Sequence, residues 1–185
     1  MRFIGGVIEK LQRHPKRLVF PEGAEPRVLQ AARQFYSLRL GAPILLGDRN
    51  RIRETATVLK ISLEGIRIVN PAESDELDNF TRRFEVLQRY KGMKGFEARE
   101  AMLQPNYFAA MMLAMHQADG FVAGANQTTA GVLRPPVSNH QNGAANRNRL
   151  QLHGHGGGGL ALWRRRRSFH GGLRRHRRPH GRTAL

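Results

Sequence analysis

Along residues 1–135 the apolar positions switch repeatedly between two periods: short continuous runs stopped by glycine or proline, and longer stretches with apolar residues every three or four positions. "RLVFPEG" predicts a buried strand, Leu18 to Phe20, stopped by Pro21 and Gly23. Pro26 then stands where a first helical turn tolerates it, and Val28, Leu29, Ala32, Phe35 and Tyr36 follow at helical spacing. "APILLGD" predicts a second strand, residues 50–60 a helix, and "GIRIVNP" a third strand carrying Ile66, Ile68 and Val69. A longer polar helix is expected from Ser74 to Tyr90, with Ser74 as N-cap and Asp75 and Glu76 in the first turn. "GFEAREAML" and "NYFAAMMLAMHQA" predict two more helices, the second apolar almost all round and therefore buried. "DGFVAGA" closes the series as a strand. Strands alternating with helices across short links define an α/β domain with an open, largely parallel sheet flanked by helices.

The pattern ends at Pro135. "HGHGGGG", "WRRRR" and "RRHRRPHGR" follow neither period and hold too little apolar surface to offset the entropy of ordering, so a disordered, low-complexity tail is expected over 136–185. Composition changes at the same place. The chain of 185 residues has a net charge of +17, but 11 of its 31 Lys and Arg, and none of its 14 Asp and Glu, lie in 136–185. Residues 1–135 keep 20 basic against 14 acidic side chains, a net +6. The basicity is therefore largely a property of the tail, and nonspecific affinity for polyanions would follow from it. No RNA- or DNA-recognition module surrounds the arginine runs, so a specific nucleic-acid partner is not expected.

The absence of cysteine excludes disulfides, thiolate catalysis and cysteine-based zinc sites. The apolar "FIGGVI" is short and followed at once by Glu9 and Lys10, which argues against an export signal, and no run approaches about 20 apolar residues. A cytoplasmic protein without membrane attachment is expected.

Two segments put small residues at the carboxyl end of a predicted strand, where open α/β sheets bind ligands: "PEGAEPR" and "AGANQTTAGVLRP". In the second, Gly124 allows close approach of a backbone, Thr128 and Thr129 offer hydroxyl and N–H groups, and Arg134 offers a bidentate fork for an oxyanion. Helix capping by a threonine and a solvated Arg134 account for the same residues equally well. His116 is open to a general-base or a core role. Met102, Met111, Met112 and Met115 fit core filling, and Arg82, Arg83, Arg89 and Lys91 a solvated helix face.

In this order and at these distances, "VFPEGAEPRVLQAA", "PILLGD", "IVNP", "RYKGMKGFEAREAML" and "PNYFAAMMLAMHQADGFVAGANQTTAGVLRP" resemble the phosphate acetyltransferases, over the amino-terminal part of the transferase domain. Phosphate butyryltransferases and the transferase-like domain of some malic enzymes share the pattern less closely. The resemblance implies a two-domain fold similar to isocitrate and isopropylmalate dehydrogenases, with the site in the cleft between domains. It also implies reversible acetyl transfer between acetyl-CoA and phosphate, giving acetyl phosphate and coenzyme A, by a homodimer with no bound cofactor and no metal. The family's "SG…T/S…LRP" motif falls on Ala123, Gly124, Thr128, Thr129, Leu133, Arg134 and Pro135. Arg134 would contact the phosphate and transition state, and Gly124, Thr128 and Thr129 would bind substrate. Gln127 and Gly131 depart from the family's frequent histidine and acid, and a second family arginine aligns with Gln88, with Arg89 one position on. The family's general base and most of its coenzyme A pocket lie further along than this segment, so 1–185 as written is expected not to turn over.

The tail is read as the family's continuation translated out of frame. Taken as one inserted base, with only third bases chosen freely, "PPVSNHQNG" can read proline, leucine, phenylalanine, proline, isoleucine, isoleucine, lysine, methionine, alanine. The same shift lets "LHGHGGGG" read serine, methionine, valine, methionine, glutamate, valine, glutamate, aspartate, restoring acids and apolar alternation. Resequencing the gene tests this: removal of a single base near codon 135 should open a long frame, and a gene that reads cleanly as written excludes it.

Overall fold

The computed structural model describes residues 2–89, 92–126, 150–154 and 161–165. Its elements follow the order α1 (Arg2–Arg13), β1 (Lys16–Phe20), α2 (Pro26–Ser37), β2 (Gly41–Leu46), α3 (Arg49–Val58), β3 (Arg67–Val69), a 3-10 turn (Pro71–Glu73), α4 (Leu77–Gln88), α5 (Gly95–Leu103), α6 (Pro105–Ala114) and β4 (Gly120–Ala123). Two further strands, β5 (Leu150–Gly154) and β6 (Ala161–Arg165), complete a sheet in the order β3-β2-β1-β4-β6-β5. The first four strands are parallel, whereas β6 lies antiparallel to β4 and β5 antiparallel to β6.

The strands are apolar on both faces, as parallel strands covered by helices on either side must be. Val19, Ile44, Leu46, Val69, Phe121 and Ala123 point to one face and pack against α4, α5 and α6. Leu18, Phe20, Leu45, Ile68 and Val122 alternate to the other, against Val28, Leu29 and Ala32 of α2 and Ile52 and Ala56 of α3. On the first face, Phe80 and Phe84 of α4 meet Phe108 and Tyr107 of α6 with ring centroids 4.9 and 5.7 Å apart. Met102, Met111 and Met112 are buried there and Met115 packs partly against them, so the methionines are core filling.

Local chemistry explains most boundaries. Pro26 opens α2, and Asp48 caps α3 by accepting the Arg51 N–H at 2.8 Å. The polar helix begins later than its sequence suggests. Ser74 accepts the Glu76 N–H at 3.3 Å and closes a turn, Glu76 takes the N-cap position, and Asp78 is the acid of the first turn. The 3-10 turn Pro71–Glu73, capped by Asn70, comes just before this Ser74 turn. Helix α1 has no counterpart in the sequence reading. Gly5 and Gly6 lower its propensity, and it is held by half-buried Ile8 and Leu11 and by Gln12, whose Nε2 donates to the Leu38 carbonyl at 2.9 Å. Two short strands, β5 and β6, are the described part of 136–185. The backbone of β6 pairs along the edge of β4 and that of β5 along β6, an interaction that needs no apolar face of their own.

Chain direction makes the sheet doubly wound. From β1 the chain steps outward through β2 to β3 with α2 and α3 on one face, then crosses by α4, α5 and α6 to lay β4 on the opposite side of β1. The β1–β4 ladder is short, with Leu18 opposite Gly120 and Val19 opposite Phe121. At its amino end Asp119 extends it: the Arg17 N–H donates to Oδ2 at 2.9 Å, Arg17 Nε approaches the same oxygen at 3.4 Å, and the Asp119 N–H donates to the Arg17 carbonyl at 2.9 Å. Arg17 Nη2 also donates to the His116 carbonyl at 3.0 Å.

Burial opposes ionisation of Asp119, but the Arg17 hydrogen bonds and the charges of Arg17 and Lys16 outweigh it and hold the carboxyl below the usual carboxylate range. A folded-state value below the unfolded one means a contribution fully present above about pH 4 and lost as pH falls through the lowered value. Asp119→Asn is therefore expected to be less stable than the unsubstituted chain at neutral pH, with the gap closing on acidification. Denaturant unfolding at a series of pH values measures this, and a pH-independent gap would contradict it.

Candidate functional site

In an open sheet of order β3-β2-β1-β4, the reversal of winding between β1 and β4 leaves a crevice at their carboxyl ends, where such folds take ligands. The two glycine-bearing segments singled out in the sequence leave the sheet there. After β1 the chain turns through Pro21, Glu22 and Gly23. The Gly23 N–H donates to the Leu46 carbonyl at 3.0 Å, so this loop lies tight on the end of β2, and a Cβ at Gly23 would sit 2.6 Å from that carbonyl oxygen. After β4 the chain turns at Gly124 with φ of 104°, a region open to glycine and strained for other residues.

The half-buried carboxylate of Glu22 joins the two loops. Its Oε2 accepts the N–H groups of Gly124 at 2.9 Å and Ala125 at 2.7 Å, and its Oε1 accepts that of Asn126 at 2.8 Å. Successive backbone N–H groups converging on one point form a concave nest for an anion, and here the anion is part of the chain. A second ring of contacts lies beside it. Asn126 Nδ2 donates to Glu25 Oε2 at 2.7 Å, Arg27 Nε to Glu25 Oε1 at 2.9 Å, and Arg27 Nη2 to the Ala125 carbonyl at 2.6 Å. Glu22 was not among the residues singled out in the sequence. Its only signal there was its place one residue past the proline that stops a predicted strand.

Of the sequence-derived site residues, Gly124 lies in the crevice. Thr128, Thr129 and Arg134 lie outside the described residues, as do Gln127, Gly131 and Lys91. Arg89 is exposed at the carboxyl end of α4, beside the buried Gln88, and Arg82 and Arg83 are exposed on the same helix. His116 stands apart: it is exposed in the turn after α6, at φ of 65°, next to the amino end of β4. The described cavity of about 430 Å³ also lies at the amino ends of the strands, among Arg17, Pro43, Arg67 and Glu76, and so on the edge away from the switch point. Among the described residues no group of three or more His, Asp or Glu side chains could hold a metal ion, and no helix is long and apolar enough to cross a membrane.

Fold and crevice define an open, doubly wound α/β protein in which the loops after β1 and β4 meet at the carboxyl edge of the sheet. Comparison narrows the class. Residues 2–145 match the family described as phosphate acetyl/butaryl transferase, and the chain belongs to that family. It is 38% identical over 129 residues to a phosphate acetyltransferase of Nitratidesulfovibrio vulgaris, covering 70% of this chain and 18% of that protein. It is also 38% identical over 135 residues to the phosphate acetyltransferase of Thermoanaerobacterium thermosaccharolyticum, covering 73% and 40%. A phosphotransacetylase from Streptococcus pyogenes superposes with a TM-score of 0.71 at 30% identity, covering 80% of this chain and 45% of that one. The EutD phosphotransacetylase from Staphylococcus aureus shares the fold at a TM-score of 0.68 and 24% identity, covering 84% and 49%. The chain thus spans less than half the length of these relatives.

The positive φ and the three-donor turn make Gly124 sensitive to any side chain. Gly124→Ala is expected to lower stability by about 1–3 kcal/mol through backbone strain, whereas Gly5→Ala, where a Cβ meets nothing within 4 Å, is expected to raise it by up to about 1 kcal/mol. Denaturation midpoints of the two variants should move in opposite directions.

Proposed function

We propose that the protein of which this chain is part is a phosphate acetyltransferase, transferring acetyl reversibly between coenzyme A and phosphate. Membership of the family over residues 2–145 carries this reading, and the meeting of the two glycine-bearing loops at the switch point supports it. Attack of the coenzyme A thiol on the acetyl phosphate carbonyl needs a base and a cationic or N–H-rich cradle for the oxyanion that develops. Arg134 supplies that cradle with a planar fork, Thr128 and Thr129 add hydroxyl donors, Gly124 lets the backbone approach, and Arg89 is the second cation offered to phosphate. No cofactor is held, coenzyme A and acetyl-CoA being substrates. The intact protein works as a cytoplasmic homodimer in acetate metabolism, without membrane attachment or a specific nucleic acid. Butyryl in place of acetyl is the alternative substrate, and a side-by-side assay of the two acyl-CoA thioesters separates them.

Acetyl phosphate-dependent formation of acetyl-CoA tests the proposal in two forms of the chain. Residues 1–185 as written are expected to be inactive, and the form with the shifted frame restored to be active; inactivity of both refutes the reading. In the active form Arg134→Ala should lower kcat/KM about 100-fold or more, as loss of an oxyanion donor does. Arg134→Lys should not restore it, because an ammonium lacks the bidentate geometry.

A further inference from the structure

A carboxylate in the phosphate crevice calls for a reason, because it repels the ligand that the crevice is proposed to take. Its position is set by three consecutive N–H groups, from Gly124, Ala125 and Asn126, which all point at Glu22 within 2.9 Å. Those donors would otherwise form an anion nest at the end of β4. With Glu22 seated they are consumed, and a phosphate entering the crevice meets a filled nest and a negative charge.

We infer that Glu22 is a positioning residue of the site: an internal anion that locks the turn after β4 and denies the N–H groups of Gly124, Ala125 and Asn126 to external phosphate. The inference rests on the phosphate-transfer reading above and adds a role for a residue that touches no reacting atom. Its reach comes from geometry. Residues 22 and 124–126 leave neighbouring strands at the same edge of the sheet, and Gly23, pressed on the Leu46 carbonyl, keeps the Glu22 loop from following its partner if the turn shifts. The ring of Glu25, Arg27, Ala125 and Asn126 braces the turn from its other side, through the Asn126 amide and the Ala125 carbonyl. A glutamine at 22 offers one oxygen to three donors and no charge. An aspartate keeps the charge and shortens the reach by one methylene.

Amide exchange and inorganic phosphate titration, both followed by NMR on residues 1–185, test this in the unsubstituted chain, Glu22→Gln and Glu22→Asp. The expected result is exchange at Gly124, Ala125 and Asn126 faster by about tenfold or more in Glu22→Gln, from loss of the charge-assisted bonds, with amides of β1 and β2 unchanged and Glu22→Asp intermediate. On phosphate addition those three amides should stay unshifted in the unsubstituted chain and should shift in Glu22→Gln, where phosphate takes the vacated nest. Unchanged exchange in Glu22→Gln overturns the inference. So does faster exchange with no phosphate response at 124–126, because a purely structural tie would loosen the turn without moving the anion. Failure of the phosphate-transfer reading shows separately: the frame-restored chain would lack turnover even though phosphate responded at the opened nest.

Discussion

The hydrogen-bonded seam between β1 and β4 holds the two halves of the winding together, and little backbone does the holding. Its ladder pairs Leu18 with Gly120 and Val19 with Phe121, and side chains extend it at each end. At the amino end Asp119 accepts from the Arg17 N–H. At the carboxyl end Glu22 accepts from the three amides after β4. One carboxylate belongs to each strand's segment and reaches across to the other's backbone, so the seam is buckled reciprocally. A hydrogen bond to a charged group contributes about 1.5–3 kcal/mol when shielded and less at half-exposed positions such as these, so the two buckles together rival the short ladder they flank.

Everything proposed for the site depends on that seam. The crevice exists because β4 lies beside β1 and not beyond β3, which is a matter of topology. Its shape exists because Gly124 can turn at positive φ and because Gly23 can press on β2. The two apolar layers make the arrangement stiff: Val19 and Phe121 face α4 and α6, while Leu18, Phe20 and Val122 face α2 and α3. A shift of β1 against β4 would have to repack both layers at once.

Much of this was legible in the sequence. Runs such as "LVF" and "PILL" are apolar at every position because both faces are covered, and the stops after them, Pro21 and Gly47, lie where the chain must turn. The almost wholly apolar α6 announced its burial, and Val28, Leu29 and Ala32 announced the inward face of α2. Helix α1 did not show because two glycines break its propensity, and the start of α4 slipped because a serine followed by acids suits the Ser74 turn as well as a helix start. At the site, glycine signalled the turn after β4 through a conformational need readable from one residue. Glu22 sent no such signal. A carboxylate next to a strand end suits a solvated surface as well as an anion nest, and only the meeting of positions 102 to 104 residues apart distinguishes the two.

That separation also governs the order in which the chain can be made safe. β1 is made before the other described strands of this sheet and gains β2 after about twenty more residues, a closure that costs little. Its other edge must wait for β4, about a hundred residues later, and until then it presents unpaired N–H and C=O groups beside Leu18, Val19 and Phe20. During synthesis the centre of the finished sheet is thus an open margin, and the nascent chain is most exposed to mispairing along the seam that later anchors its crevice.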